Sequence, residues 1–327
     1  MINLDGSRIL VTGGTGSFGK ALVSRVVRQF NPEKLVVFSR DEMKQYEMQK
    51  AFPPSKTMRY FIGDVRDQAR LHRAFRGIDI VVHAAAMKII PTGEYNPMEV
   101  VKTNILGAQN IIQEAVDQKV SKVIALSTDK AVNPINLYGA TKLAAEKLMV
   151  AANVYSGDAH TRFSCIRYGN VLNSRGSVIP LWKEQACTGS VTLTDERMTR
   201  FFITLDQVVD FVWMVLDRMK GGEIFVPKIP SMKITDLAQA VAPGCRHVRI
   251  GMRPGEKLHE ILISEDESHH TIDQAGCYII APEFLNDIVE ESYSGHQKMP
   301  EGFRYGSDTN TEWLSAEKLL SLINIEG

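Results

Sequence analysis

The chain has 327 residues, with 38 Lys or Arg balanced by 38 Asp or Glu, and 44% of it is hydrophobic. A net charge of zero over this length offers no general attraction for nucleic acid or an anionic membrane, so neither is expected as a partner. At about 100–200 residues per domain, the length predicts one large or two fused domains with a substantial core. We therefore expect a compact enzyme.

The four cysteines lie far apart in the sequence and include no C-x-x-C pair, so we expect reduced thiols and no metal site. The histidines show no helical metal-ligand spacing either. The chain runs directly from its first residues into a strand-like segment, without the features of a signal peptide. No stretch approaches the roughly 18 uncharged apolar residues of a membrane span. These features predict a soluble, cytoplasmic protein.

Short β-branched runs alternate with longer amphipathic segments in the first half, a pattern typical of parallel βαβ units. The predicted strands are Arg8–Thr12, Lys34–Ser39, Arg59–Gly63, Ile78–Ala84, Lys122–Ser127 and Phe163–Tyr168. The predicted helices are Gly19–Gln29, Asp67–Phe75, Pro97–Gln118, Tyr138–Val154, Leu205–Met219 and Thr235–Val241. Consecutive apolar residues in several strands favour a sheet covered on both faces. We predict an α/β fold in which residues 1–168 form a Rossmann-type doubly wound parallel sheet. Residues 169–327 then form a smaller α/β substrate-binding lobe, with some segments exchanged between the two.

A glycine-rich loop separates the first predicted strand from the first predicted helix. Glycines at this point allow a tight turn, close approach of the backbone to a pyrophosphate and close helix packing, and the helix N-terminus favours the phosphates. The alternative is a turn without a ligand, but the position between strand and helix favours a dinucleotide site. The loop residues expected to bind the cofactor are Gly13, Thr15, Gly16, Ser17, Phe18 and Gly19.

The second predicted strand leads into Arg40 rather than into the acidic residue that usually binds the adenosine ribose of NAD. An arginine here can pair with a 2′-phosphate, which favours NADP. Alternatively, Arg40 is only a solvated residue and the adjacent Asp41 reaches a ribose hydroxyl. Asp64, after the third strand, is a candidate acceptor for the adenine amino group. The other expected cofactor contacts are Ser39, Lys44, Val65, Ala84, Ala85, Ala86 and Val171.

Tyr138 and Lys142 lie four residues apart, on one face of a predicted helix. Lowering the pKa of a tyrosine by about three units requires about 4 kcal/mol, of which a nearby ammonium supplies part. Such a tyrosine can remove a proton from a sugar hydroxyl while a hydride leaves the same carbon. The alternative is simple helix packing, but the preceding dinucleotide loop favours a redox site that also binds the cofactor.

The fifth predicted strand leads into Thr128, Asp129 and Lys130, at the edge of the sheet where open α/β folds bind ligands. Dehydrogenation of an alcohol requires neither an acid nor an amine beside the tyrosine. Asp129 and Lys130 therefore indicate that water is eliminated as well, although a surface ion pair is the alternative.

The glycine loop and the Tyr138-x-x-x-Lys142 pair resemble the extended short-chain dehydrogenase/reductase superfamily. Within it, residues 127–142 are similar to the inverting UDP-N-acetylglucosamine 4,6-dehydratases of pseudaminic acid biosynthesis, as are residues 167–171, 197–201, 222–230 and 253–260. Related retaining dehydratases have Glu in place of Lys130, and longer membrane-anchored ones have Met in place of Tyr138. One departure is Ile89 after Lys88, where such enzymes usually have a polar residue.

The resemblance implies a complete reaction cycle with tightly bound NADP, which is reduced and reoxidised within each turnover. Tyr138 would remove the proton of the carbon 4 hydroxyl, with Lys142 lowering its pKa. Lys130 would remove the proton of carbon 5, and Asp129 would protonate the departing carbon 6 hydroxyl. This requires a neutral Lys130, which demands a pKa lowered by burial or by the positive charge of Lys142, and the sequence does not show the protonation state of Lys130. Reprotonation from the opposite face would invert carbon 5.

The resemblance also implies how UDP-N-acetylglucosamine binds. Arg200 and Arg253 would contact the diphosphate and Glu256 the uridine ribose, while Lys88, Thr128 and Asn170 would line the hexose. Related enzymes lead us to expect a homo-oligomer, either a dimer or a hexamer. The alternatives are a UDP-hexose 4-epimerase or reductase on the same fold, and an NADP-binding regulatory protein. The first would have an ordinary hydroxyl residue at position 129, and the second a broken Tyr–Lys pair.

Overall fold

The structure is a computed structural model that describes residues 2–157, 161–174, 177–282, 292–293 and 295–325. Its strands in chain order are β1 Arg8–Thr12, β2 Lys34–Ser39, β3 Met58–Ile62, β4 Ile80–His83, β5 Lys122–Leu126, β6 Arg162–Ile166, β7 Asn170–Val171, β8 Ser190–Leu193, β9 Thr199–Ile203, β10 Ile224–Pro227, β11 Ser231–Lys233, β12 Arg246–Arg249, β13 Ile261–Ile263, β14 Thr271–Gln274, β15 Cys277–Ile280 and β16 Tyr305–Gly306. The helices are α1 Ser17–Gln29, α2 Glu42–Ala51, α3 Gln68–Phe75, α4 Ile90–Tyr95, α5 Pro97–Val101, α6 Gly107–Asp117, α7 Leu137–Tyr155, α8 Val178–Gln185, α9 Leu205–Arg218, α10 Ile234–Val241 and α11 Ala316–Ile325.

Nine strands form the main sheet, in the order β14-β15-β10-β6-β5-β4-β1-β2-β3. The seven strands from β10 to β3 pair in parallel, whereas β15 pairs antiparallel with β10 and with β14. The order 3-2-1-4-5-6 within this sheet is that of a doubly wound dinucleotide-binding fold. Helix α1 packs on α9, and α6 packs on α3 and α7. The predicted α/β fold class is therefore confirmed.

The central strands are apolar at consecutive positions, and their side chains are buried. Leu10 and Val11 of β1, like Val36 and Val37 of β2, are almost completely inaccessible to solvent. Burial of successive residues requires cover on both faces of the sheet, as the run of β-branched residues predicted. The six predicted strands are all present, each within two residues at either end.

Three helical segments of the first half differ from the prediction, and one of them is the short helix α4, Ile90–Tyr95, which was not predicted. Helix α2 was not predicted, because its sequence is polar and only Gln45 and Met48 are buried. The predicted helix Pro97–Gln118 is interrupted by a π-helical turn, Lys102–Leu106, which separates α5 from α6. Such turns occur where side chains disturb regular helical bonding.

Beyond residue 168 the chain forms three small sheets, β11-β9-β7, β12-β8 and β13-β16. A second hydrophobic core lies here, around Trp182, Phe202 and Leu237. Strands β10, β14 and β15 come from the same half of the sequence but extend the main sheet. The second half therefore covers the region beyond β5 and β6, where the candidate site lies.

No helix in the described parts of the chain combines the length and apolarity needed to cross a membrane. Among the described residues, no group of three or more His, Cys, Asp or Glu could hold a metal ion. Cys165, Cys187, Cys245 and Cys277 are all free thiols.

Candidate active site

The glycine loop packs against the end of β4 so closely that side chains are excluded. Gly13 has a φ of +65°, and a Cβ added there would lie 2.9 Å from backbone atoms of Ala84 and Ala85. A Cβ on Gly19 would lie 2.5 Å from Gly14 Cα. Replacement of either glycine would therefore displace the neighbouring backbone. These close approaches are the tight turn and the close packing that a dinucleotide-binding loop requires.

Helix α1 begins directly after this loop, at Ser17. Its N-cap residue, Gly16, has no side chain and provides no cap, while the Gly16 amide donates to Gly13 O at 2.9 Å. Backbone N–H groups at an uncapped helix start, together with the helix dipole, suit a phosphate group. The residues of the loop therefore fit the diphosphate of a dinucleotide. Thr15 is buried in this loop, and Phe18 packs into the core.

Two basic residues lie near the end of β2, each beside a carboxylate. Arg40 is 55% exposed, and its Nη1 lies 3.5 Å from Asp64 Oδ2. Asp41 is the N-cap of α2: its Oδ1 accepts from the Lys44 amide at 3.0 Å, and its Oδ2 lies 2.7 Å from Lys44 Nζ. The carboxylate of Asp41 is thus engaged within the protein, whereas Arg40 keeps an accessible guanidinium.

The remaining cofactor candidates line the same edge of the sheet. Ser39 is buried, and its Oγ accepts from Gln45 Nε2 at 3.1 Å. Asp64 accepts from Arg66, with Oδ2 at 2.7 Å from Nη2. The segment that begins with Ala84 is held by Thr12, whose Oγ1 accepts from the Ala84 and Ala85 amides at 3.2 and 3.3 Å. Val65 is buried, Ala86 is exposed and Val171 lies on β7, beside β9.

A 3₁₀ turn, Asp129–Ala131, follows β5 and carries the predicted acid and amine. Asp129 is completely buried, and its Oδ1 accepts from Thr128 Oγ1 at 2.8 Å and from Lys130 Nζ at 2.9 Å. Its second oxygen, Oδ2, is buried without a hydrogen-bond partner. Lys130 Nζ also lies 3.4 Å from Asn170 Oδ1. The structure therefore brings these four residues, taken from two parts of the sequence, into one cluster.

Helix α7 places Tyr138 and Lys142 against this cluster. The helix is capped by Asn136, whose Oδ1 accepts from the Gly139 amide at 2.7 Å. Lys142 is buried, and its Nζ donates to Leu126 O at 2.6 Å. The predicted lowering of the Tyr138 pKa by Lys142 is not what the structure shows. Burial raises the pKa of Tyr138 to about 12, and the ammonium that favours its phenolate is that of Lys130.

The lowered pKa that a neutral Lys130 requires is not what the structure shows. Burial lowers the pKa of Lys130, but the negative charges of Asp129 and Glu260 outweigh it and hold the pKa above its ordinary value. Glu260 was not predicted as a site residue. Its Oε1 lies 3.7 Å from Lys130 Nζ, and the opposing positive charge is that of Arg200.

The two arginines expected at the diphosphate have different surroundings. Arg200 is buried, and four of its N–H donors are engaged by Thr199 O at 2.7 Å, Leu258 O at 3.0 Å, Lys257 O at 2.9 Å and Met198 Sδ at 3.3 Å. Its Nε lies 3.8 Å from the carboxylate of Glu260. These contacts occupy the guanidinium with the protein itself, so the geometry does not favour its predicted contact with a ligand.

Arg253, by contrast, is exposed at the edge of the cluster, and its backbone amide donates to Glu256 Oε2 at 3.2 Å. The segment between them is tied to α7, because Asn136 Nδ2 donates to Gly255 O at 2.8 Å. The structure thus brings Arg253 and Glu256 toward the start of α7. Lys88 lies close enough to Lys130 for the two positive charges to interact. Burial and the charge of Lys130 both lower the pKa of Lys88.

Asn104 is a second residue that the sequence analysis did not identify. It lies in the π-helical turn, where its Oδ1 accepts from the Met87 amide at 2.8 Å and its Nδ2 donates to Met87 O at 3.0 Å. Its Nδ2 also lies 3.0 Å from Thr141 Oγ1 on α7. Asn104 therefore fixes the segment before Lys88 against the helix of Tyr138. The sequence offers no signal for this role, because the contact with Met87 is not encoded in helical periodicity.

Comparisons with known proteins find relatives over almost the whole chain. Residues 9–282 match the family described as polysaccharide biosynthesis protein. A UDP-N-acetylglucosamine 4,6-dehydratase (inverting) from Campylobacter jejuni is 54% identical, with 98% of each chain covered. The X-ray structure of Pen from Bacillus thuringiensis is 37% identical, with a TM-score of 0.89 and coverage of 99% of this chain and 100% of that one. The dTDP-glucose 4,6-dehydratase DesIV from Streptomyces venezuelae, solved with NAD and TYD bound, shares the fold at 22% identity, with a TM-score of 0.69 and coverage of 77% and 86%.

Proposed function

The chain belongs to the polysaccharide biosynthesis protein family, and we propose that within it the chain is a UDP-N-acetylglucosamine 4,6-dehydratase that inverts carbon 5. The product is UDP-2-acetamido-2,6-dideoxy-beta-L-arabino-hex-4-ulose. The observation that carries this proposal is the cluster of Asp129, Lys130 and Tyr138 beside a dinucleotide loop. It combines a redox tyrosine with an acid and an amine, as required for loss of water but not for epimerisation or reduction alone.

The cofactor is a nicotinamide dinucleotide, and we propose that it is NADP, bound tightly and recycled in each turnover. The glycine loop holds the diphosphate, and Arg40 with Lys44 holds a 2′-phosphate. This assignment is supported by the exposed guanidinium of Arg40 and by the engagement of Asp41 in the cap of α2, away from a ribose hydroxyl. Arg40→Ser is expected to weaken NADP binding at least tenfold with little change for NAD, since it removes a charged pair. Equal losses for the two nucleotides would contradict it.

The first half-reaction is assigned to α7. A bound nicotinamide would supply the hydride acceptor for carbon 4 and the hydride donor for carbon 6. Tyr138 removes the proton of the carbon 4 hydroxyl, and Lys142 holds the cofactor ribose. Because burial raises the pKa of Tyr138 to about 12, this step requires positive charge nearby, which Lys130 supplies in part. The 4-keto group that results acidifies the hydrogen on carbon 5.

Elimination of water is assigned to Asp129 and Lys130. Lys130 is a cation in the structure, so it must release a proton before it can act as a base. Asp129 Oδ1, 2.9 Å from Lys130 Nζ, is the acceptor, and this one transfer produces both the base and the acid that the step needs. Lys130 then takes the proton of carbon 5, and Asp129 gives its proton to the departing carbon 6 hydroxyl. Reprotonation from the other face inverts carbon 5.

The second lobe is assigned to the sugar nucleotide. Arg253 binds the diphosphate and Glu256 the uridine ribose, while the hexose lies among Lys88, Thr128 and Asn170. We assign Arg200 to positioning of the segment before β13, because its donors hold the backbone carbonyls of that segment. Charge reversal, Arg253→Glu, should therefore raise KM far more than it lowers kcat.

The decisive experiment is incubation of the purified protein with UDP-N-acetylglucosamine in deuterated water, followed by NMR. The expected product is a 4-keto-6-deoxy sugar with deuterium at carbon 5 and inverted configuration. Lys130→Ala should abolish its formation, whereas Lys183→Ala, at a position remote from the cluster, should leave it unchanged. Formation of only a galacto epimer would establish the alternative of a UDP-hexose 4-epimerase.

The proposal extends to the setting of the enzyme. We assign it to the cytoplasm and its product to pseudaminic acid or related nucleotide-sugar biosynthesis, for flagellin glycosylation or a polysaccharide. We also propose a homo-oligomer, a dimer or a hexamer. Large apolar side chains are exposed along the consecutive helices α4 and α5 and the π-helical turn, namely those of Tyr95, Met98 and Leu106. Light scattering at micromolar concentration should give a multiple of 36.5 kDa, and a mass of 36.5 kDa would contradict this assignment.

A further inference from the structure

Glu260 is a buried carboxylate that the proposed mechanism does not use. It is 2% exposed, one of its oxygens lies 3.7 Å from Lys130 Nζ, and the other is buried without a hydrogen-bond partner. A buried carboxylate destabilises the folded protein unless it is paired, so the position of Glu260 beside Lys130 requires an explanation. The nearest cations are Lys130 and Arg200.

The position of Glu260 is fixed by its backbone and by its neighbours. Its amide donates to Ser307 Oγ at 2.9 Å, and its carbonyl accepts from the Ser307 amide at 2.8 Å. Arg200 donates to the carbonyls of Lys257 and Leu258, three and two residues before Glu260. The carboxylate is therefore held against Lys130 by a segment of the second lobe.

Charged and titratable groups from several elements surround Lys130. They are Asp129 in its own turn, Lys88 after β4, Tyr138 on α7, Arg200 on β9, and Lys257 and Glu260 before β13. The two carboxylates favour the cation, and the three other cations oppose it. Asp129 is the acid of the elimination and is therefore protonated during part of the cycle. Glu260 is the carboxylate that remains negatively charged beside Lys130 throughout the cycle.

We propose that Glu260 is a positioning and specificity-determining residue, which holds Lys130 as a cation and so limits repeated removal of the proton on carbon 5 from the finished product. This inference rests on the proposed function. In the step concerned, the lone pair of neutral Lys130 takes the carbon 5 proton, and the carbon–hydrogen electron pair moves into an enolate on the carbon 4 oxygen. A solvent-derived proton then returns to carbon 5, on either face.

The direction of the effect follows from the charge. The carboxylate of Glu260 raises the pKa of Lys130, so Glu260→Gln lowers that pKa and raises the neutral fraction at a given pH. An opposite charge at this distance shifts a pKa by about one to three units. A lysine with a lower pKa is also a weaker base and removes the carbon 5 proton more slowly. This loss of reactivity offsets about half of the gain in the neutral fraction, measured on a logarithmic scale. Applied to shifts of one to three units, this gives an expected acceleration of exchange at carbon 5 of about three- to thirtyfold.

The test uses the NADP-loaded enzyme and purified 4-keto-6-deoxy product in deuterated water. NMR follows loss of the carbon 5 hydrogen and appearance of the other carbon 5 epimer. Glu260→Gln should accelerate both, whereas Glu265→Gln, the same change at an exposed position of the same lobe, should alter neither. Glu260→Asp keeps the charge but withdraws it by one methylene, so it should give a smaller acceleration. This second variant serves the test if the glutamine variant folds poorly.

The outcomes distinguish a failure of the role of Glu260 from a failure of the proposed dehydratase function. Slower or unchanged exchange in folded Glu260→Gln would overturn the role of Glu260. The same outcome in Glu260→Asp would overturn it if the glutamine variant does not fold. The reason is that changing a merely structural residue slows the reaction and does not accelerate it. If the unmodified enzyme formed no 4-keto-6-deoxy product from UDP-N-acetylglucosamine, the proposed function itself would fail. Faster exchange with more of the second epimer supports the inference.

Discussion

Gly139, in the first turn of α7, tests how closely this helix must pack on the turn that carries Lys130. A Cβ added to Gly139 would lie 2.1 Å from Lys130 O and 3.1 Å from Pro134 Cβ. An ordinary contact between carbon and a carbonyl oxygen is about 3.3 Å, so Gly139→Ala must separate the helix and the turn by roughly 1 Å. The obstacle is backbone, which has no rotamer to change.

Two effects compete in this substitution. Alanine favours a helix over glycine by about 1 kcal/mol, so helix propensity alone predicts a more stable and equally active protein. The clash acts in the opposite direction, and a misplacement of about 1 Å at a catalytic group can cost roughly 100-fold in rate. Because the contact is far inside the van der Waals limit, we expect the clash to dominate.

The assay compares thermal unfolding with the rate of 4-keto-6-deoxy product formation. Gly139→Ala should lower kcat about 100-fold, because it displaces the helix that carries Tyr138. The matched control is Ala140→Ser, an exposed position in the same helical turn, which should retain full activity. A Gly139→Ala variant with normal turnover would refute the close packing of α7 on the turn of Lys130.

Two further predictions follow from buried charges. Arg167 is completely buried and bonds to Glu146 at 2.7 Å and to Glu267 at 3.0 Å, so Arg167→Met should lower the free energy of unfolding by about 3–5 kcal/mol in urea titrations. A loss below 1 kcal/mol would show that the two carboxylates find other partners. Burial raises the pKa of Tyr138 to about 12, and a phenol stays protonated below its pKa. The ultraviolet difference between the cofactor-free protein and its Tyr138→Phe variant should therefore show no phenolate below about pH 10, and a signal at pH 8 would contradict the structure.

The parts of the fold that could be predicted are those determined by short-range sequence. The six strands of the first half were predicted because each carries a continuous apolar run, and the glycine loop because its conformation excludes side chains. The antiparallel additions β14 and β15 gave no such signal, since a short strand at the edge of a sheet depends on the surface that it meets. The break at Asn104 likewise depends on bonds to Met87, a contact that helical periodicity does not encode.

The candidate site divides in the same way. Asp129, Lys130 and Tyr138 are close in sequence and share one turn and one helix, so their proximity could be predicted. Glu260 is distant in the sequence, and its approach to Lys130 depends on how the second lobe docks. The protonation state of Lys130 could not be derived from the sequence, because its pKa depends on Glu260, whose position the sequence does not show.

The segment around residues 255–260 connects substrate binding to Lys130. It is joined to the reactive region by Asn136 Nδ2, which donates to Gly255 O, by Lys257 Nζ, which donates to Val132 O, and by the ion pair with Lys130. The same segment begins with the residues that we assign to the diphosphate and ribose. A displacement of this segment on binding would therefore alter the distance between Glu260 and Lys130. Since the Coulomb energy of the pair varies with that distance, occupancy of the nucleotide end would change the readiness of Lys130 to release its proton. This coupling predicts that UDP alone alters the pKa of Lys130, even though it carries none of the reacting atoms.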